Sequence, residues 1–476
     1  MGFRLRRSPA KKGACERVQP LSMPEGSVPV MPPRPARALP LLKFLRTASA
    51  NSLAVCDEEL FDVLFVPRRY LGQRVFFVSD PDGIKRVFLD NFENYPRVAR
   101  IRRLFEAELG TGSLASEGET WWRHRRVAAP TIDRRAIAPD IPALIRLAEA
   151  TADEIERRPR GETLEIETGI ARLLIRLWNH VVTGGDPGAV AMLNTLSKIP
   201  RKPRLADLAG ISRLIEPLRP RDPRRQRRLE FDDMLQALIA RRADGGYSWA
   251  HDLIWRLLNT PDRKTGETLP RAEVRDEAAS LIAGGVSPTV RALTWIWYLL
   301  ALDPQVEARL HAELDAVVQG GPLAPAHLPQ LAYTRQVIEE TMRLYPPIPA
   351  ILRQAAADDV VCGQRVPRRS IVAILPWVVH RHRRLWADPD RFDPDNFSPE
   401  RRAARHRFAY LPFAGGPRVC VGAGFAMTQM TIVVAVLARR FRFRLAADHA
   451  VVPVGRISLH PYGGLHVTVE RRGVVA

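Results

Sequence analysis

Cysteine is scarce in this chain. There are four in 476 residues, Cys15, Cys56, Cys362 and Cys420, with no C-x-x-C pair and no dense framework. That argues against structural zinc and against a disulfide-held fold, and it suits a reducing compartment. No run approaches the roughly 18 apolar residues that cross a bilayer. The basic start is not followed by the apolar stretch of a secretory signal. The expectation is therefore a soluble, cytoplasmic protein without a transmembrane segment. Phosphate-binding loops are also missing: GAGFAM after Cys420 lacks the third glycine and the preceding strand of a dinucleotide fingerprint. With no flavin or nicotinamide module of its own, any redox chemistry would draw its electrons from another protein.

Acidic residues are outnumbered, 52 against 72 lysines and arginines, a net charge of +20. The excess is nearly all arginine and is densest at Arg221–Arg228 and Arg381–Arg384. No nucleic-acid motif accompanies either run, so nucleic acid is not an expected partner. Solvated arginine-rich faces are one reading of the charge, and docking of an acidic electron-transfer protein is the other. Hydrophobic content of 46% with 26% charged residues is that of a globular chain with ample material for a large core. Residues 1–38 are basic and proline-rich and read as a flexible tail before one folded domain, 39–476.

The most informative stretch is Phe413–Gly422, FAGGPRVCVG, followed by the apolar helical pattern Ala423–Arg440. Cys420 thus precedes a helix N-terminus, where free N–H groups and partial positive charge favour a thiolate. Such a thiolate can be a nucleophile or a metal ligand. A small buried hydrophobe is the bland alternative.

F-x-x-G-x-R-x-C-x-G resembles the heme-ligand loop of the cytochrome P450 family, and Phe413, Gly416, Arg418, Cys420 and Gly422 match it. The resemblance implies heme b (iron protoporphyrin IX) with Cys420 as its axial thiolate. It further implies that Phe413 shields the sulfur and that Arg418 pairs with a propionate. Upstream, Trp121 and Arg125 match the family's W-x-x-x-R, implying further propionate donors, with His124 beside them. Arg353, after YPPIPAIL, resembles the arginine that reaches the second propionate, and His380 a propionate-contacting histidine. Glu340 and Arg343 resemble the E-x-x-R pair that braces the core. Asn396 stands where its third member is usually an arginine.

Arg271–Leu302 reads as a long helix containing LIAGGVSP, similar to the family's oxygen-binding segment. Ala283 and Gly284 match, Gly285 is the unconstrained position, Val286 replaces the acid and Ser287 keeps a hydroxyl. Pro288 lacks an N–H, and a kink is expected there. Phe61–Val66, Arg74–Asp80 and Ser370–Leu375 read as strands of a small sheet, and Arg97–Glu117 as a loop roofing the pocket. Gly184–Pro223, broken by prolines, reads as a substrate lid.

The implied fold is mainly α with small β-sheets around a single heme, and the chain is expected to be a monomer. The implied activity is insertion of one oxygen atom of O2 into a small apolar substrate. Its electrons would come from an acidic ferredoxin- or flavodoxin-like partner. A hydrogen-peroxide-using or non-oxygenating heme-thiolate enzyme is the alternative raised by Val286 and Pro288.

Overall fold

A computed structural model describes residues 28–197, 223–244, 252–447 and 449–473. Its centre is the helix Arg271–Leu302, whose buried residues extend from Val274 to Leu300. A helix apolar on nearly every side must be covered on every side. Ile166–Thr183, Ala332–Leu344 and Ala423–Arg440 pack around it. The helix continues through Pro288, which has no N–H to give the Gly284 carbonyl.

A four-stranded sheet stands beside these helices in the order Phe65–Tyr70, Gln73–Val78, Ile371–Ile374, Ile351–Gln354. Its middle pair is parallel, with Val75 opposite Ile371, and its outer pairs are antiparallel. The expected first strand begins later than its pattern suggested, since Phe61 belongs to the short helix Glu59–Asp62. The pocket roof is also corrected. Within Arg97–Glu117 lies the helix Ala99–Leu109, whose Leu104, Phe105 and Leu109 recur at helical spacing and line a cavity. In the expected lid, Pro187 opens the helix Pro187–Ser197, while residues 198–222 lie outside the described residues. The side chains of the basic run 221–228 also lie outside them.

The fold begins earlier than the proline-rich composition suggested. Residues 28–38 are not a loose tail but a strap across the core. The Tyr345 hydroxyl donates to the Val30 carbonyl at 2.8 Å, and the Val30 N–H to the Tyr298 hydroxyl at 3.2 Å. Arg34 pairs with Asp390 at 2.6 Å and lies 3.9 Å from the Phe61 ring centroid. Prolines without N–H groups suit such an extended strap, which needs no ladder of its own.

The scaffold turns on Arg343, fully buried with Glu340. Its Nε and Nη2 donate to the two Glu340 oxygens at 2.7 Å each. Its other bonds reach the carbonyls of His380 (2.8 Å), Pro389 (2.6 Å) and Arg391 (2.7 Å). All five guanidinium donors are thus used. Asn396 does reach the pair, its Nδ2 donating to Glu340 at 3.3 Å. Arg405, which no motif marked, donates to the Asn396 carbonyl and lies 4.2 Å from the Trp386 ring centroid.

Two outcomes test this scaffold. Arg343→Met leaves a buried carboxylate with only the Asp393 N–H and Asn396 as partners. We expect a loss of about 3–5 kcal/mol in denaturant unfolding, and a loss under about 1 kcal/mol would refute the brace. His380 is buried and neutral, its imidazole pushed down to about 3 chiefly by burial, against an ordinary 6.5. Between those values the unfolded chain binds the extra proton. This stability is therefore complete above pH 6.5 and lost on acidification at about 1.4 kcal/mol per pH unit. His380→Asn is expected to flatten the acid limb of stability against pH relative to the parent; an unchanged slope would show that His380 does not carry it.

Candidate active site

The loop Phe413–Gly422 is closed by the Cys420 N–H donating to the Phe413 carbonyl at 2.9 Å. Its turn, Gly416–Arg418, enters with Gly416 at φ +66°. A Cβ on Gly416 would lie 1.7 Å from the Phe88 carbonyl oxygen, so only glycine fits there. Gly422 has a different role: a Cβ would meet nothing within 4 Å, but its N–H reaches the Cys420 sulfur. The helix Ala423–Arg440 follows directly.

Cys420 is exposed to a cavity of about 520 Å³, with protein crowding the rest of its surroundings. Burial pushes its thiol up; the Gly422 N–H and the nearby Arg125 guanidinium only oppose that rise. This corrects the expectation from the helix N-terminus, because desolvation outweighs one N–H and one cation. A bound metal cation would supply the missing charge and deprotonate the thiol.

Beside the sulfur lies an unusual concentration of guanidinium groups. Arg97 and Arg353 are brought together by an isolated antiparallel backbone bridge, and both feel the charge of Arg418 or of each other. Arg353 is pushed down to about 9, mainly by burial and then by Arg97 and Arg418. Arg418 is pushed down to about 10, again first by burial. Arg125 reaches under the loop, donating to the Val419 carbonyl at 2.8 Å. Trp121 lies under Arg418, ring centroid to guanidinium carbon 4.3 Å.

Glu117 pairs directly with this cluster, with Arg418 and with Arg97 at 3.3 Å, and the Glu277 carboxylate acts on Arg97 and Arg125. Arg418 Nε and Nη1 remain buried without a hydrogen-bond partner among the described residues. Four cations facing two carboxylates, Glu117 and Glu277, and a thiol suit a ligand that brings further carboxylates and a metal. Heme b has that chemistry, so these residues fit it: Cys420 for iron, and Arg97, Arg125, Arg353, Arg418 and Trp121 for the propionates.

The opposite wall is the central helix from Ser280 to Ala292. Ala283, Gly284, Val286 and Ser287 all line the cavity, as does Phe413 on the cysteine side. The two glycines exchange the roles expected of them. A Cβ on Gly285 would lie 1.9 Å from Trp178 Cζ2, so packing demands glycine at the position read as unconstrained. Gly284 has more room, its nearest neighbour being Leu114 at 3.7 Å. The Thr289 hydroxyl donates to the Gly285 carbonyl at 2.8 Å, holding the helix next to Pro288.

Two histidines leave the expected site. His124 Nδ1 is 2.8 Å from Glu277 and its Nε2 is 3.5 Å from Glu273, so both ring nitrogens face acids on the central helix. His380 Nε2 accepts from the Leu411 N–H at 2.7 Å, and its Nδ1 lies 3.2 Å from the Arg343 carbonyl. With both nitrogens engaged it fastens the start of the cysteine loop to the Arg343 brace and does not line the cavity. Sequence reasoning missed Arg97, Glu117 and Glu277. Arg97 and Glu117 lay in a stretch read as loop, and their partners lie far along the chain.

The cytochrome P450 family profile matches residues 65–464. Cyclooctatin synthase of Streptomyces melanosporofaciens is 31% identical over 399 residues, spanning 82% of this chain and 85% of the relative. The cyclooctat-9-en-7-ol 5-monooxygenase of the same organism is 30% identical over 449 residues, spanning 92% and 93%. The crystal structure of a cytochrome P450 heme domain shares the fold with TM-score 0.76 at 21% identity, over 92% of this chain and 93% of the other. Sulfur, cationic cluster and glycine-lined helix therefore belong to a heme-thiolate oxidoreductase with heme b as its cofactor, and the chain belongs to the cytochrome P450 family.

Proposed function

We propose that this protein is a monooxygenase that inserts one oxygen atom of O2 into an apolar cyclic substrate, with electrons from a separate protein. The observation that carries the reading is the juxtaposition of Cys420 with a cavity whose far wall keeps Ser287 and the open Gly284. The bound heme would supply the oxygen activation; the chain supplies binding, orientation and protons. Leu104, Phe105, Ile348, Ile351 and Ile457 make much of the cavity apolar, which suits a hydrocarbon-rich substrate. One relative is named for a cyclic alkenol, which supports the same class.

The electron donor is an acidic ferredoxin- or flavodoxin-like protein. Arg134 packs against Gly424 beside the cysteine loop, its Cγ 3.1 Å from a Cβ built there, and Arg134 and Arg135 are exposed. With a net charge of +20, such a face favours an acidic partner whose association weakens with salt. Val286 favours a second reading, since an apolar side chain stands where a proton-handling acid is expected. A peroxide-using enzyme would turn over with hydrogen peroxide and not with O2 and reductant.

Three results are expected. Cys420→Ser should lose the red-shifted carbon-monoxide band of the reduced protein; a variant retaining that band and full turnover would sink the assignment. Arg418→Gln should retain heme more weakly by roughly tenfold to a hundredfold, the worth of a hydrogen bond to a charged group, read by heme transfer to a scavenger protein. Val286→Asp should raise the product formed per reductant consumed, and no change would show that proton supply at that position is not limiting.

A further inference from the structure

The acid missing at Val286 has a counterpart one side of the cavity away. Glu277, on the same helix, is fully buried. Its Oε2 accepts from the Ser113 N–H and its Oε1 from the Ser113 hydroxyl, both at 2.8 Å. The same Oε2 lies 2.8 Å from His124 Nδ1. His124, also fully buried, turns its Nε2 outward to Glu273, 3.5 Å away, whose side chain is 30% exposed. At the inner end Ser113 and Ser280 line the cavity. The Ser280 hydroxyl lies one helical turn beyond Glu277, buried without a hydrogen-bond partner among the described residues.

We propose that Glu273, His124, Glu277 and Ser113 form a proton conduit from solvent to the cavity, replacing the acid absent at position 286. This rests on the O2-using reading above. Each passage moves one proton. Glu273 takes it from bulk water and hands it to His124 Nε2, and the Nδ1 proton passes to Glu277. The Ser113 hydroxyl, which donates to Glu277 Oε1 at rest, first turns its proton toward the cavity. Glu277 then protonates the Ser113 oxygen as that proton leaves, and the new hydroxyl proton again faces Glu277. Every side chain then holds its starting charge and one proton has crossed; His124 ends with its proton on Nε2 in place of Nδ1 and changes tautomer before the next passage.

A purely structural His–Glu brace would tie the helices Gly118–Thr131 and Arg271–Leu302 together equally well. It gives no reason for a buried polar atom at each end without a hydrogen-bond partner among the described residues: His124 Nε2, 3.5 Å from Glu273, on the outer side, and Ser280 Oγ on the inner. Other charged groups face this line. Arg97 and Arg125 both feel the Glu277 carboxylate. Arg123 pairs with Glu273 at 3.3 Å. Asp276, the other acid at this level, is occupied by Thr111 and Arg275. Glu117 is held by Arg97 and Arg418.

The test uses the heme-loaded full chain and its Glu277→Gln, His124→Gln and Ser113→Ala variants. The carbon-monoxide band and thermal midpoint check that each is folded. With O2 and reductant, product per electron should fall roughly a hundredfold in Glu277→Gln, the low end of what a positioned proton donor supplies. Ser113→Ala should show a smaller fall and a larger solvent deuterium isotope effect, and Glu277→Asp should recover part of the activity. Independently of turnover, the infrared stretch of carbon monoxide on the reduced protein should shift with pH in the parent and lose that shift in Glu277→Gln. Parent-like coupling and a parent-like infrared pH profile in Ser113→Ala and His124→Gln would overturn the conduit, whether or not Glu277→Gln folds. Absence of O2-driven turnover in the parent would instead overturn the proposed function.

Discussion

Uncompensated buried positive charge is the constraint from which the rest of this molecule follows. Four arginines converge beside one cavity against two glutamates, Glu117 and Glu277, and a thiol that desolvation pushes up. Guanidinium groups cannot shed their charge as lysines can, so such a cluster costs free energy until carboxylates from elsewhere complete it. The cofactor of the family carries carboxylates at its edge and a cation at its centre. Its binding and the folding of this region are therefore parts of one electrostatic balance.

That balance needs a rigid frame, and the frame is a chain of saturated polar groups. Arg343 spends every donor on Glu340 and on three backbone carbonyls. His380 joins the Arg343 carbonyl to the Leu411 N–H, two residues before Phe413. The strand carrying Arg353, at the edge of the sheet, pairs with Ile371–Ile374 and bridges to Arg97. The ligand loop, the brace and the cationic cluster thus share fixed points, so the sulfur and the arginines hold their separation. The strap of residues 28–38 fastens the same region from outside through Arg34 and Asp390.

The central helix shows how a motif can depart from its family and keep its architecture. Gly285 is required by Trp178 behind it, while Gly284 lies toward the cavity. Thr289 occupies the Gly285 carbonyl next to the proline, and the helix continues. What changed is chemistry: an apolar side chain replaces an acid, and the nearest fully buried carboxylate on this helix is Glu277, where His124 and Ser113 meet it.

Residue order along the chain was enough for the family, and it marked Cys420, Phe413, Arg418, Trp121 and Arg125, which the fold brings to one cavity. Phe413 to Gly422 is a contiguous loop, and Trp121 with Arg125 and Glu340 with Arg343 lie within one helical turn of each other, so their chemistry is local. The strands near Phe65 and Ile371 were legible for the same reason, as side-chain alternation is a local property. Tertiary structure alone decided everything that depends on distant partners. It paired Arg97 with Arg353 and Glu117 with Arg418, and it turned His124 and His380 away from the cavity toward acids and backbone. It also laid a proline-rich segment onto the core. Burial raised the Cys420 thiol where a helix N-terminus suggested the reverse. Charge, desolvation and hydrogen bonding act through space, and spacing along a sequence does not carry them.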